Sequence, residues 1–159
     1  MRAVLCMVVI LAVGLTFSEL VTDTNRERVY DDIDNFEENP FTRTLDQHTV
    51  SQILRNGIVL GVYEPVSLLV KLITATQIGR SISVVLRLNV LLHILNALAA
   101  FFVAEKVLTA FGLQKRVGPF CTCVAVVVMA VHPLRVEVVA WASCQPYLLA
   151  GLFSLTATN

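Results

Sequence analysis

Charge is what this sequence is short of. Asp, Glu, Lys and Arg make up 15% of its residues, against roughly 25% in a soluble domain. Meanwhile 56% are hydrophobic and the mean hydropathy is +0.73. A soluble chain of 159 residues can bury a core but must cover it with polar side chains. Too few are present, and the apolar ones stand in long blocks, so the covering solvent is read as lipid. A basic patch is missing too. Twelve basic and twelve acidic residues cancel, no Lys/Arg cluster marks a nucleic-acid footprint, and nucleic acid is excluded as a partner. Metal-ligand spacing is absent as well. The cysteines are Cys6, Cys121, Cys123 and Cys144, and Cys-x-Cys without a second Cys/His pair reads as small core filler. No Asn-x-Ser/Thr acceptor and no internal repeat occur.

The apolar blocks predict an all-α integral membrane protein, a multi-pass helical bundle whose long extracytoplasmic first loop contains short amphipathic helices. A run behind Arg2 predicts a membrane helix over 3–21, near the roughly 20 residues a span needs. A cleaved signal peptide competes, because Ala12-Val13-Gly14 offers small residues at a cleavage position. The later apolar segments favour an uncleaved anchor. Residues 22–80 form the first loop. Within it, Thr49-Val50-Ser51-Gln52 has capping-box spacing and Gly57 can close the helix it starts. Asn39-Pro40 marks a turn. Pro65 opens an amphipathic stretch, with Val66, Leu69, Val70 and Ile73 on one side and Ser67, Lys71 and Thr74 on another, read as a helix lying on the membrane interface. A second span covers 82–104, a loop 105–118, a third span 119–131, a lip 132–147, and an incomplete fourth span 148–159.

Lys106, Lys115 and Arg116 put loop 105–118 in the cytoplasm. Counting crossings then places the amino terminus inside and loop 22–80 outside, although Arg26 and Arg28 argue the other way. The acidic loop and the His132 region therefore emerge on one face. In the second span Asn89, His93 and Asn96 share one stripe, which either packs against other helices or lines a substrate path.

Two constellations can carry chemistry. Eight of the twelve acids lie between Asp23 and Asp46, among them Asp31 and Asp32. Such a run can be solvated charge. Beside a membrane it can also supply a general base for an attacking hydroxyl, or hold a hard divalent cation against a phosphate-bearing substrate. A divalent cation is the one cofactor these residues suggest. The second constellation is His132-Pro133-Leu134-Arg135-Val136-Glu137. Arg135 suits a phosphate; alternatively Glu137 pairs with Arg135 or His132 and only tidies a helix end.

Together these pieces resemble a family. Tyr30-Asp31-Asp32 followed by Phe36 and Asn39-Pro40, Tyr63-x-Pro65, Asn89-Val90-Leu91-Leu92-His93-Ile94-Leu95-Asn96, and His132-Pro133-x-x-x-Glu137-x-Val139-Ala140 occur in order. Over about residues 1–155 the chain is similar to the membrane half of transmembrane and tetratricopeptide-repeat (TMTC-type) proteins and their bacterial relatives. The resemblance implies a C-type glycosyltransferase fold. It also implies transfer of a sugar, mannose in the animal members, from a polyprenyl-phosphate donor to Ser/Thr hydroxyls of an acceptor protein. The membrane implied is the endoplasmic reticulum in a eukaryote, or the plasma (inner) membrane in a bacterium. Family acids carry over onto Asp31 and Asp32, expected as catalytic carboxylates. The His-Pro…Glu element carries over onto His132, Pro133 and Glu137, expected with Arg135 to bind substrate. Gln145-Pro146-Tyr147 departs from the Arg-x-Asp of many members. A non-enzymatic membrane anchor or scaffold is the rival reading. A chain ending at 159 is expected to be catalytically inert alone, its polar stripe left to face lipid or another chain.

Overall fold

A computed structural model describes residues 1–23 and 32–158. Among them the architecture is helical. The elements are α1 (Arg2–Thr16), α2 (Ser18–Thr22), α3 (Gln47–Asn56), β1 (Ile58–Val59), β2 (Val62–Tyr63), α4 (Pro65–Ile73), α5 (Ile82–Ala110), α6 (Gln114–Ala130), α7 (Arg135–Ala140) and α8 (Gln145–Ala157).

Helix α5 is the axis. Its 29 residues give about 44 Å of helix at ~1.5 Å per residue. Among the described residues it is the one helix long and apolar enough to cross a membrane. It runs six residues past the expected end at 104, so Glu105 to Ala110 are helical and the connecting loop is correspondingly short. Helices α1, α6 and α8 pack around it. Helix α1 buries Leu5, Val9 and Val13, four residues apart, and leaves Val4, Met7, Val8, Leu11 and Leu15 exposed. It is thus apolar on all sides. The expected single span over 3–21 breaks at Phe17, which leaves helical geometry before α2 begins.

The third apolar segment also differs. Helix α6 begins at Gln114, ahead of Pro119, and kinks at Gly118, whose φ of 69° and ψ of 156° are open mainly to glycine. Pro119 has no N–H to donate and fits the first turn of the restarted helix.

The ends of the bundle are distinct. At one end Arg2 lies 3.8 Å from the Glu105 carboxylate, to which Gln114 Nε2 donates at 3.3 Å. At the other, Arg87 Nε donates to the Val21 carbonyl at 2.9 Å, and Ser143 meets Asp32. The acidic segment and the 132–147 region do therefore share one end, with residues 105–114 at the opposite one.

The polar stripe of α5 is packing. Asn89 Nδ2 donates to the carbonyls of Val139 and Trp141 at 3.4 and 3.2 Å. His93 Nε2 meets the Ala130 carbonyl at 2.9 Å, and Asn96 Nδ2 donates to Leu148 at 2.9 Å. The Val139, Trp141 and Ala130 carbonyls stand at or just past helix C-termini, where intrahelical donors run out, whereas the Leu148 carbonyl lies in the first turn of α8. The expectation that the stripe would face lipid or another chain is overturned, because α6, α7 and α8 close it.

Residues 32–80 build a small cap on this end. Helix α3 starts at Asp46, whose carboxylate accepts from Thr49 N–H at 2.7 Å. The cap is Asp46, and the expected box beginning at Thr49 is not the start of the helix. Gly57 ends α3 as expected, and a Cβ there would collide with the Ile53 carbonyl. Leu60 and Gly61, both at positive φ, turn β1 back on β2. Helix α4 has Pro65 in its first turn. Its orientation reverses the interface-helix reading: Ser67, Lys71 and Thr74 are buried with Leu68 and Leu72, whereas Val66 and Ile73 are exposed. The polar side faces protein because Lys71 has partners there.

Candidate functional site

The cap and the α7–α8 connection enclose a cleft of about 480 Å³. The hairpin contributes Val59, Leu60 and Val62. Residues 137–147 contribute Glu137, Val138, Trp141, Ser143, Cys144, Pro146 and Tyr147, and Asn35 and Glu64 complete the lining. A smaller apolar groove of about 270 Å³ runs from the same Glu64 and Pro146 between α4 and α8, past Val66, Leu149, Ala150 and Phe153.

Two clamps hold the acidic segment against this cleft. The first is at Asp32, only 2% exposed. Its Oδ1 accepts from Ser143 Oγ at 2.6 Å and from Ser143 N–H at 3.1 Å. The short three-residue turn Ala142–Cys144 supplies both donors. The second is at Lys71, 1% exposed. Its ammonium donates to Asn35 Oδ1 at 2.7 Å and Glu64 Oε1 at 3.1 Å and stands 5.3 Å from the centre of the Phe36 ring. Burial of an ammonium is tolerated only with such partners. Just past Asp32 the chain makes one wide π-helical turn over Ile33–Glu37, which brings Asn35 and Phe36 to Lys71. It then caps itself through Asn39, whose Oδ1 accepts from Phe41 N–H at 2.9 Å and whose Nδ2 donates to the Asn35 carbonyl at 3.0 Å.

Of the expected site residues, Asp31 lies outside the described residues. Asp32 is not solvated charge; it sits behind Ser143. Glu137 reaches the cleft. His132 and Arg135 do not. They border a separate pocket of about 390 Å³ with Ala125, Val128, Met129 and Leu134 on the flank of α6. Arg135 and Glu137 are two residues apart on α7, about 200° around a helix, and so serve different pockets. Among the described residues neither Arg135 nor His132 forms an ion pair with Glu137. The His132 ring instead turns back, Nδ1 accepting from Leu134 N–H at 3.3 Å.

Asn35, Lys71 and Ser143 escaped sequence reasoning. A lysine inside an apolar helix and an asparagine three residues beyond an acidic pair were the available signals, but only the fold joins residues 36 and 111 positions apart. The cysteines divide, with Cys123 and Cys144 buried and Cys121 exposed. No group of three or more His, Cys, Asp or Glu positioned to hold a metal occurs among the described residues. Asp32 Oδ1 is moreover already occupied by two donors. No family model, curated protein or solved structure matches the chain.

Proposed function

We propose that the chain is the amino-terminal membrane part of a multi-pass glycosyltransferase that moves a sugar from a polyprenyl-phosphate donor to a protein hydroxyl. One observation carries the reading. An acid singled out by its motif is withdrawn from water and bonded beside a cleft that opens toward an apolar groove. A solvated acidic loop would hold its carboxylates outward. Here Asp32 is held inward, 2% exposed, against the turn that lines the cleft. In this reading α1, α6 and α8 cross the membrane beside α5, and the cleft opens on its extracytoplasmic side. The acceptor hydroxyl enters between Glu64 and Glu137, and the donor's tail lies against exposed apolar helix faces. Arg135 and His132 border a different pocket across α7, so in this reading they meet the donor lipid on its approach, while its reacting phosphate lies beside the acceptor hydroxyl in the cleft. The resemblance names Asp31 together with Asp32 as catalytic.

The separation of Arg135 and His132 from the cleft favours a second reading, in which the chain is a membrane anchor that binds no donor. Photocrosslinking of a polyprenyl-phosphate sugar in membranes separates the two. The transferase reading expects a crosslink that Arg135→Ala weakens, with transfer lowered about 100-fold or more in Asp32→Asn, the loss typical of a missing general base. No crosslink, with transfer absent, leaves the anchor.

A further inference from the structure

We infer that Ser143 is a catalytic hydroxyl that relays a proton from the acceptor to Asp32. The inference rests on the transferase reading and goes beyond it, because that reading gives Asp32 a role without a route.

The route follows from position. A general base must come within about 2.6–3.2 Å of the heavy atom whose proton it takes, or reach it through one bridging water, a place that a hydroxyl can fill. Asp32 is 2% exposed and does not border the cleft, whereas Ser143 does. The Ser143 Oγ–H points at Asp32 Oδ1 over 2.6 Å, a length expected for a hydroxyl on a charged acceptor. With its proton directed inward, the lone pairs of Oγ are left for a donor in the cleft. The Ser143 N–H, 3.1 Å from the same oxygen, keeps carboxylate and turn in register.

The transfer balances. The acceptor O–H gives its proton to Ser143 Oγ as Ser143 gives its own to Asp32 Oδ1. The acceptor oxygen bonds to the anomeric carbon of the donor sugar. The bond from that carbon to the phosphate oxygen breaks, and the phosphate leaves with the electron pair. Ser143 ends as a hydroxyl and Asp32 as a neutral acid, which returns its proton to solvent before the next turnover.

The test uses the full-length protein in membranes, with a polyprenyl-phosphate sugar and a Ser/Thr peptide, comparing Ser143→Ala, Ser143→Thr, Asp32→Asn and the double variant. Reactivity of the buried neighbour Cys144 toward a maleimide reports whether the turn is intact. The relay predicts a fall in kcat of about 100-fold for Ser143→Ala with KM little changed. It also predicts recovery to within several-fold in Ser143→Thr, a double variant no worse than either single one, and Cys144 protected throughout. Full activity in Ser143→Ala beside a dead Asp32→Asn overturns the relay and makes Asp32 a direct base. Loss in both Ser143 variants with Cys144 exposed also overturns it, leaving Ser143 a structural strut. If the unsubstituted protein transfers no sugar, the transferase reading itself has failed and the relay falls with it.

Discussion

Lys71 carries its ammonium into the protein, where Asn35, Glu64 and the face of Phe36 replace the water it loses. Removing one partner of a buried ion pair leaves the other unpaired, at a typical cost of about 3–5 kcal/mol. Lys71→Met keeps the length and apolar stem of the side chain and should destabilise the cap by about that amount. Detergent-based thermal unfolding checks it, and a change below about 1 kcal/mol would mean that water reaches Glu64. Lysine in an apolar stretch looked like the exposed side of an interface helix, because periodicity reports that a stripe is polar and not which way it turns. The same limit hid Ser143, whose partner is 111 residues away. Asp32 was singled out through the family motif, since the acidic run by itself reads as well as solvated charge; its burial was not legible.

At the scale of elements, local signals served well where the cause of a feature is local. Pro65 opens α4, Gly57 ends α3 and Asn39-Pro40 turns the chain, each through its own backbone geometry. The misplaced start of α3 arose because Asp46 and Thr49 both offer capping oxygens, and the one that caps is decided by which residue is extended. The Thr49 N–H bond holds the Asp46 carboxyl below its ordinary value. A depressed folded-state pKa contributes stability above the unfolded value, near 3.8, that is lost as pH falls through the folded one. The protection factor of amides in the first turn of α3, corrected for the intrinsic exchange rate at each pH, should thus be constant near neutrality and fall below about pH 4. In Asp46→Asn that acid dependence should vanish, since an amide caps without titrating; its persistence would assign the effect to another group. Gly118 provides a second test at this scale. A Cβ there meets open space, so only backbone strain opposes Gly118→Ala, which should cost about 1–3 kcal/mol. Unchanged thermal stability would mean that α6 can straighten through Pro119.

For the whole molecule, the pairing of ends carries the most consequence. Arg2, Glu105 and Gln114 meet at one end of the bundle, and Asp32, Ser143, Val21 and Arg87 at the other. Alternation of apolar and charged segments made this antiparallel order readable. It could not reveal that α1 breaks at Phe17, which turns its ring edge-on to His93 at 5.5 Å. If α5 crosses a bilayer with α1 and α6 beside it, the two ends must lie on opposite sides, since moving either charged cluster through hydrocarbon is costly. Single cysteines at Asp34 and Lys115, both exposed, test this after the native thiols are removed, Cys121 above all because it is exposed on α6. Lys115 is the better probe than Gln114, whose amide is engaged with Glu105. In sealed vesicles of known orientation, an impermeant maleimide should label the residue-34 cysteine from the extracytoplasmic side only. The residue-115 cysteine should react only after permeabilisation if Lys106 and Arg116, which the probe leaves in place, set this end in the cytoplasm. Labelling of both from one side without permeabilisation would make the bundle a body lying against a single membrane face. The cleft and the Arg2–Glu105 end would then share one solvent, and a membrane-borne donor would have no reason to approach one end rather than the other.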